Sequence, residues 1–142
     1  MHTLLLIIHF IGLALGLGTG FALFTLGLAA KDMAPADRGA FMRRAMVLGK
    51  NGSIGLLLLI LSGVWLVFSQ GAAEVLAWGG GMFHVKLTLV VILTGTFGYM
   101  QMLIRQAKGS DGAAAMARLP LVGRIMLLLN IAIVVTAVLA FS

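Results

Sequence analysis

Residues 3–30 read TLLLIIHFIGLALGLGTGFALFTLGLAA, a stretch without a single Asp, Glu, Lys or Arg. About 20 consecutive apolar residues suffice to cross the hydrocarbon core of a bilayer. The segment is therefore long enough to span and too long for the apolar region of a signal peptide. Met1-His2-Thr3 before it has no Lys or Arg, so the basic flank of a signal peptide is also missing. The stretch reads as a first membrane span.

Three more apolar runs follow, at about residues 53–68, 82–104 and 124–141. The 142-residue chain is 61% hydrophobic and 10% charged. A soluble domain carries roughly 25% charged residues, so there is too little polar surface here to face water, and the solvent must be lipid. The expected fold is all-α, an integral membrane four-helix bundle, with residues 1–142 forming one transmembrane domain. Cysteine is absent. That excludes disulfides, zinc-thiolate sites, iron–sulfur clusters and haem attached through Cys. The net charge of +6 does not point to nucleic acid, because the basic residues are loop charges that set topology.

Lys31 to Lys50 form the first connection, with Pro35 and the basic residues Lys31, Arg38, Arg43, Arg44 and Lys50. Phe41-Met42 and Ala45-Met46-Val47 give its end an amphipathic pattern, expected to lie along the interface and lead into the second span. Gln70 to Gly81 form the second connection, with Glu74 as its only charge and Trp65 and Trp78 as interfacial anchors. Arg105 to Arg124 form the third, with Arg105, Lys108, Arg118, Arg124 and Pro120. Two spans separate the first and third connections, so both lie on one side, and together they hold nine of the ten basic residues. The positive-inside rule puts that side in the cytoplasm and both termini outside, periplasmic if the membrane is a bacterial inner membrane. No internal repeat of the kind that builds many transporters is evident.

Ionisable groups within a span are costly and mark functional candidates. Here they are His9 in the first span and His84 and Lys86 at the start of the third, all in the outer half of the membrane. At about 100° per residue, Gly12, Gly16 and Gly20 share the face of His9. The plain reading is a small-residue seam for a neighbouring helix. The sharper reading is a ligand histidine above a flat groove, lined by Gly12 and Gly16, that admits the edge of a porphyrin. His84 stands above Thr88, Val91, Gly95 and Gly98; its plain reading is an imidazole wetted by headgroups. Two neutral imidazoles from two helices at similar depth meet the need of a six-coordinate haem b. Lys86 either snorkels to the interface or pairs with a haem propionate or an anionic substrate group. His2 reads as solvated, and Asn51, Asn130 and Thr136 as hydrogen-bonding contacts between helices. No Asp or Glu lies within a span, so a carboxylate relay or a Ser-His-Asp triad cannot be assembled there.

Trp78, then Phe83-His84-Val85-Lys86-Leu87-Thr88-Leu89-Val90-Val91, then Gly98-Tyr99-Met100 resemble the third-helix motif of the HemJ-type protoporphyrinogen oxidase family. They also resemble the related small membrane proteins that include the copper-resistance D domain. Ser62-Gly63-Val64-Trp65-Leu66-Val67 is similar to the end of that family's second helix. The resemblance implies a four-helix membrane fold holding haem b and oxidising protoporphyrinogen. It matches His9 to the first-helix histidine, and His84 and Lys86 to the His-x-Lys of the third, with Lys86 the candidate catalytic residue. Phe97 stands where the family often has a further histidine, and Gly-Leu-Ala-Leu-Gly at 12–16 replaces its usual aromatic and charged residues.

Three functional expectations result. The first is a haem b membrane protein that transfers electrons or oxidises a hydrophobic substrate, its iron on His9 and His84. The second is an accessory or structural subunit of a larger membrane complex, or a homo-oligomer, favoured by the glycine seams and sparse polar machinery. The third, a small-solute or metal transporter, is disfavoured by the lack of intramembrane acids and broken half-helices.

Overall fold

The structure, a computed structural model, describes every residue except Gly79 and Asp111, and the side chain of Phe141. Gly79 and Asp111 fall in the second and third connections expected from the sequence and lie outside the described residues. The described chain is all-α. Four helical stretches, His2–Asp32, Pro35–Ser69, Gly80–Ala107 and Gly112–Ala140, are long and apolar enough to cross a membrane. They fall into two compact units, Met1–Trp78 and Gly79–Ser142.

In the first unit, α1 (His2–Ala29) ends in a single 3₁₀ turn, Ala30–Asp32. The break has a local cause. Ala34 precedes Pro35, whose ring disfavours a helical conformation in the residue before it, and Ala34 is extended at φ −55°, ψ 144°. Pro35, whose missing N–H is not needed at a first turn, then opens α2 (Pro35–Ala45). A 3₁₀ turn, Met46–Leu48, leads into α3 (Gly49–Ser69). The amphipathic segment expected near residues 41–47 is thus helical, and the helix of the second span starts four residues before Ser53. Gly71 ends α3 at φ 84°, a left-handed conformation that costs glycine little. A short α4 (Ala72–Trp78) follows, and Trp65 and Trp78 are both exposed.

α1 and α3 run antiparallel, and small residues hold them together. A Cβ built on Gly12 would lie 2.9 Å from the Gly55 carbonyl oxygen and 3.0 Å from the Leu59 nitrogen. One built on Gly55 would lie 2.6 Å from the Gly16 nitrogen and 2.7 Å from the Gly12 oxygen. The two backbones therefore touch directly. Further along, Gly52 meets Thr19 on one side of this contact, and Gly63 and Ser62 meet His9 on the other. The helix residues buried in this unit are Gly12, Gly55 and Ser62. Phe10, Phe24, Leu57, Leu61 and Phe68 are exposed. A water-soluble protein buries large apolar residues first; small residues inside and large ones outside are what lipid solvent allows, because packing rather than hydrophobic burial joins the helices.

In the second unit, α5 (Gly80–Ala107) and α6 (Gly112–Phe141) pack against each other. Phe83, Leu93 and Leu103 of α5 are buried, as are Ala115, Leu119, Val122 and Leu127 of α6, the latter at helical spacing. This corrects the third connection. α5 ends at Ala107 and α6 starts at Gly112, and Arg118, Pro120 and Arg124 are residues of α6. Leu119 and Val122 pack on one face while Arg118 and Arg124 stay exposed, so the charges mark the outer face of a helix and not a loop. Asn130 and Thr136 are corrected too. Asn130 donates to the Met126 carbonyl at 2.9 Å and Thr136 to the Ala132 carbonyl at 2.9 Å, so each is satisfied within its own helix. Asn51 is exposed at the start of α3.

Gly55, which the sequence does not single out, bears on the hairpin more than Gly16. A Cβ on Gly16 would meet only the Leu59 side chain, at 3.9 Å. Gly55→Ala is expected to lower hairpin stability by about 1–3 kcal/mol, the scale of overpacking, and Gly16→Ala to leave it within about 0.5 kcal/mol. Thermal unfolding of the two variants in the same detergent measures the contrast.

Candidate functional site

His9 sits one turn along α1 from Gly12, half-buried against α3. Its Nδ1 lies 2.9 Å from the Ser62 hydroxyl oxygen, and that hydroxyl also bonds the Leu58 carbonyl one turn back. The serine has one proton, and a carbonyl can only accept, so the proton goes to Leu58. The hydroxyl oxygen then accepts from His9 Nδ1–H. A chain runs from imidazole to hydroxyl to backbone carbonyl. Gly63 makes room for the ring: its own Cβ position would lie 3.3 Å from His9 Cε1.

His84 lies on the second turn of α5 and is exposed. Its Nδ1 is 2.9 Å from the Gly80 carbonyl oxygen. Here too the partner can only accept, so Nδ1 carries a proton. Thr88, on the same face, donates to the His84 carbonyl at 2.9 Å and so spends its hydroxyl on the helix. The Phe83 and His84 rings meet edge to face, centroids 6.4 Å apart. Lys86, two residues on, is half-buried.

The glycines expected beside His9 have a different role from the sharper reading. Gly12 is buried, and its open side is filled by Gly55, Leu58 and Leu59 of α3. Gly16 faces Leu59. At Gly12 and Gly16 the strip below His9 is a contact with α3. His2, at the same end of the unit, lies 2.9 Å from the Gln70 amide nitrogen through its Nε2 and is exposed.

Both histidines thus share one arrangement: an Nδ1–H held by an oxygen acceptor 2.9 Å away. Histidines that ligate metals characteristically donate their second nitrogen in this way, which fixes the tautomer and the ring orientation. Among the described residues no three His, Asp or Glu side chains group as a metal cage. Ser62 is the polar neighbour of His9, a role that its place in the second-helix motif does not reveal. Its signal was faint: a serine in an apolar span, followed by a glycine, at a height set by the hairpin register.

No family model, no curated protein and no solved structure matches the chain.

Removing the Ser62 hydroxyl tests the His9 assignment directly. In ¹⁵N-histidine-labelled protein, His9 is expected to be the Nδ1–H tautomer, and Ser62→Ala to shift it toward a mixture with Nε2–H. An unchanged His9 signal in the variant would show that Ser62 does not set the tautomer.

Proposed function

We propose that this chain is a membrane protein that binds haem b and does redox chemistry, with His9 and His84 as iron ligands through Nε2. The observation that carries the reading is the shared tautomer. Each imidazole is held at Nδ1 by an oxygen acceptor, His9 by Ser62 and His84 by Gly80, as ligating histidines are. The fit concerns the donor nitrogens alone, since Gly12 and Gly16 are taken up by α3. When bound, haem supplies one-electron chemistry. The chain supplies two oriented bases. It also supplies Lys86, proposed as the catalytic residue that pairs with a carboxylate of the macrocycle or of a hydrophobic substrate. The resemblance to HemJ-type protoporphyrinogen oxidases makes that substrate class the first to assay.

Protein purified in mild detergent from haem-replete cells is expected to show a Soret band. His9→Ala and His84→Ala should each abolish it or shift it to a weaker-ligated form. Colourless wild-type protein from the same cells would sink the proposal. The competing reading is an accessory subunit of a larger membrane complex. The closure of the glycine seam by α3 favours it, because that removes the one cofactor groove visible in the sequence. Colourless protein that co-purifies with larger subunits is the result it requires.

The proposal places the protein in a bacterial inner membrane with both termini periplasmic. The support is the span count: it puts Lys31, Arg38, Arg43 and Arg44 of the first connection on the same side as Arg105 and Lys108 beside the third. The chain has no cysteine, so single introduced thiols report sidedness. A thiol from Ser142→Cys should react with a membrane-impermeant reagent applied to spheroplasts, and one from Gly39→Cys should not. The reverse pattern would invert the topology.

A further inference from the structure

The α5–α6 hairpin carries an open groove of about 680 Å³, lined by Ile92, Gly95, Thr96 and Tyr99 of α5 and by Arg118, Leu121, Val122 and Ile125 of α6. That volume lies in the range of small-ligand sites. The lining is graded along its length. From Ile92 to Tyr99 the groove extends roughly 10 Å at 1.5 Å per residue, and its polar end is a pair of side chains, Arg118 and Tyr99. Arg118 Nη1 donates to the Tyr99 hydroxyl at 3.4 Å. This long bond uses one of the five N–H donors of the guanidinium fork. Thr96, between the two ends, donates to the Ile92 carbonyl at 2.8 Å and so presents its methyl group to neighbours.

Gly95 makes the floor. A Cβ built there meets nothing within 4 Å, so the space above this glycine is open. Gly12 and Gly55 are filled by a neighbouring backbone; Gly95 is not. Leu121 and Ile125 flank it with exposed side chains. On α6, the uncharged residues Leu119 to Gly123 follow Arg118, and the long apolar run starts at Ile125 after the exposed Arg124. The guanidinium therefore sits at the head of an apolar channel, at the end of the hairpin that also carries Arg105 and Lys108.

We propose that this groove binds an anionic phospholipid, its phosphate on Arg118 and the Tyr99 hydroxyl and one acyl chain along Ile92, Gly95, Leu121 and Ile125. Charge complementarity selects the occupant. A fork of N–H donors matches phosphate oxygens, and an aromatic hydroxyl beside it suits the headgroup boundary, where tyrosines concentrate. A second copy of the chain would bring apolar side chains to the groove but no anion to its cationic head. The site lies wholly within the second unit and does not depend on haem.

The test is native mass spectrometry of the full chain in detergent, titrated with phosphatidylglycerol or phosphatidylcholine. Wild type should retain phosphatidylglycerol in preference. Arg118→Gln should weaken it about fivefold, the weight of one basic residue near an anionic headgroup, and erase the preference. Gly95→Leu puts a branched side chain into the groove from a position where a Cβ meets nothing within 4 Å, so it should lower retention of both lipids and leave thermal stability in lipid-free detergent close to wild type. Lys108→Gln removes the same charge away from the groove and should change retention much less. Equal losses in Lys108→Gln and Arg118→Gln would reduce the effect to diffuse attraction and overturn the site. So would wild-type retention in Gly95→Leu, or a wild-type dimer that Gly95→Leu dissolves.

Discussion

The direct contact between the backbones of α1 and α3 at Gly12 and Gly55 is the constraint on which the first unit depends. Between apolar helices in lipid, no hydrophobic gain rewards association. What remains is dispersion over closely apposed atoms, which weakens steeply when a gap opens. Two glycines facing each other remove the side chains that would hold the helices apart. The same approach fixes the antiparallel register, and the register brings Ser62 level with His9 and seats the imidazole over Gly63. The orientation of a candidate ligand is thus a consequence of where two glycines meet.

A second rule acts on every polar group along these helices. In hydrocarbon there is no water to complete a hydrogen bond, so each donor must find an acceptor in the protein. Ser53, Ser62, Thr88, Thr94, Thr96, Asn130 and Thr136 all donate to the carbonyl four residues earlier in their own helix. Ser62 does more, because its oxygen still accepts from His9. This local satisfaction explains why polar residues in the spans are poor guides to helix pairing, and why the pairing falls to glycine and shape.

The four spans were legible because a hydropathy pattern depends only on composition along the chain. The third connection was misjudged for a related reason. Arg118, Pro120 and Arg124 look like loop residues by type, yet α6 buries Leu119 and Val122 between them and continues through all three. Exposure on one helix face and exposure in a loop have the same composition. The seam of α1 was visible as a glycine period, but its partner was not, since Gly55 becomes special only through the register of two helices distant in sequence. The histidines could be picked out as costly residues in apolar spans; their tautomers could not, because those depend on which oxygen lies 2.9 Å away.

The joined ends of the two hairpins have a consequence for how such a chain is made. Within each unit the two membrane helices are connected at the end that carries the charges. Apart from Glu74 and Lys86, and from Arg118 and Arg124 further along α6, every Asp, Glu, Lys and Arg of the chain lies at or near one of those connections. A helical pair of this form can enter a bilayer from the side its turn remains on, with most of its charges staying behind. The side chains that must cross are then almost all apolar or neutral, and the expense of carrying a guanidinium through hydrocarbon is avoided during biogenesis by the placement of the turns.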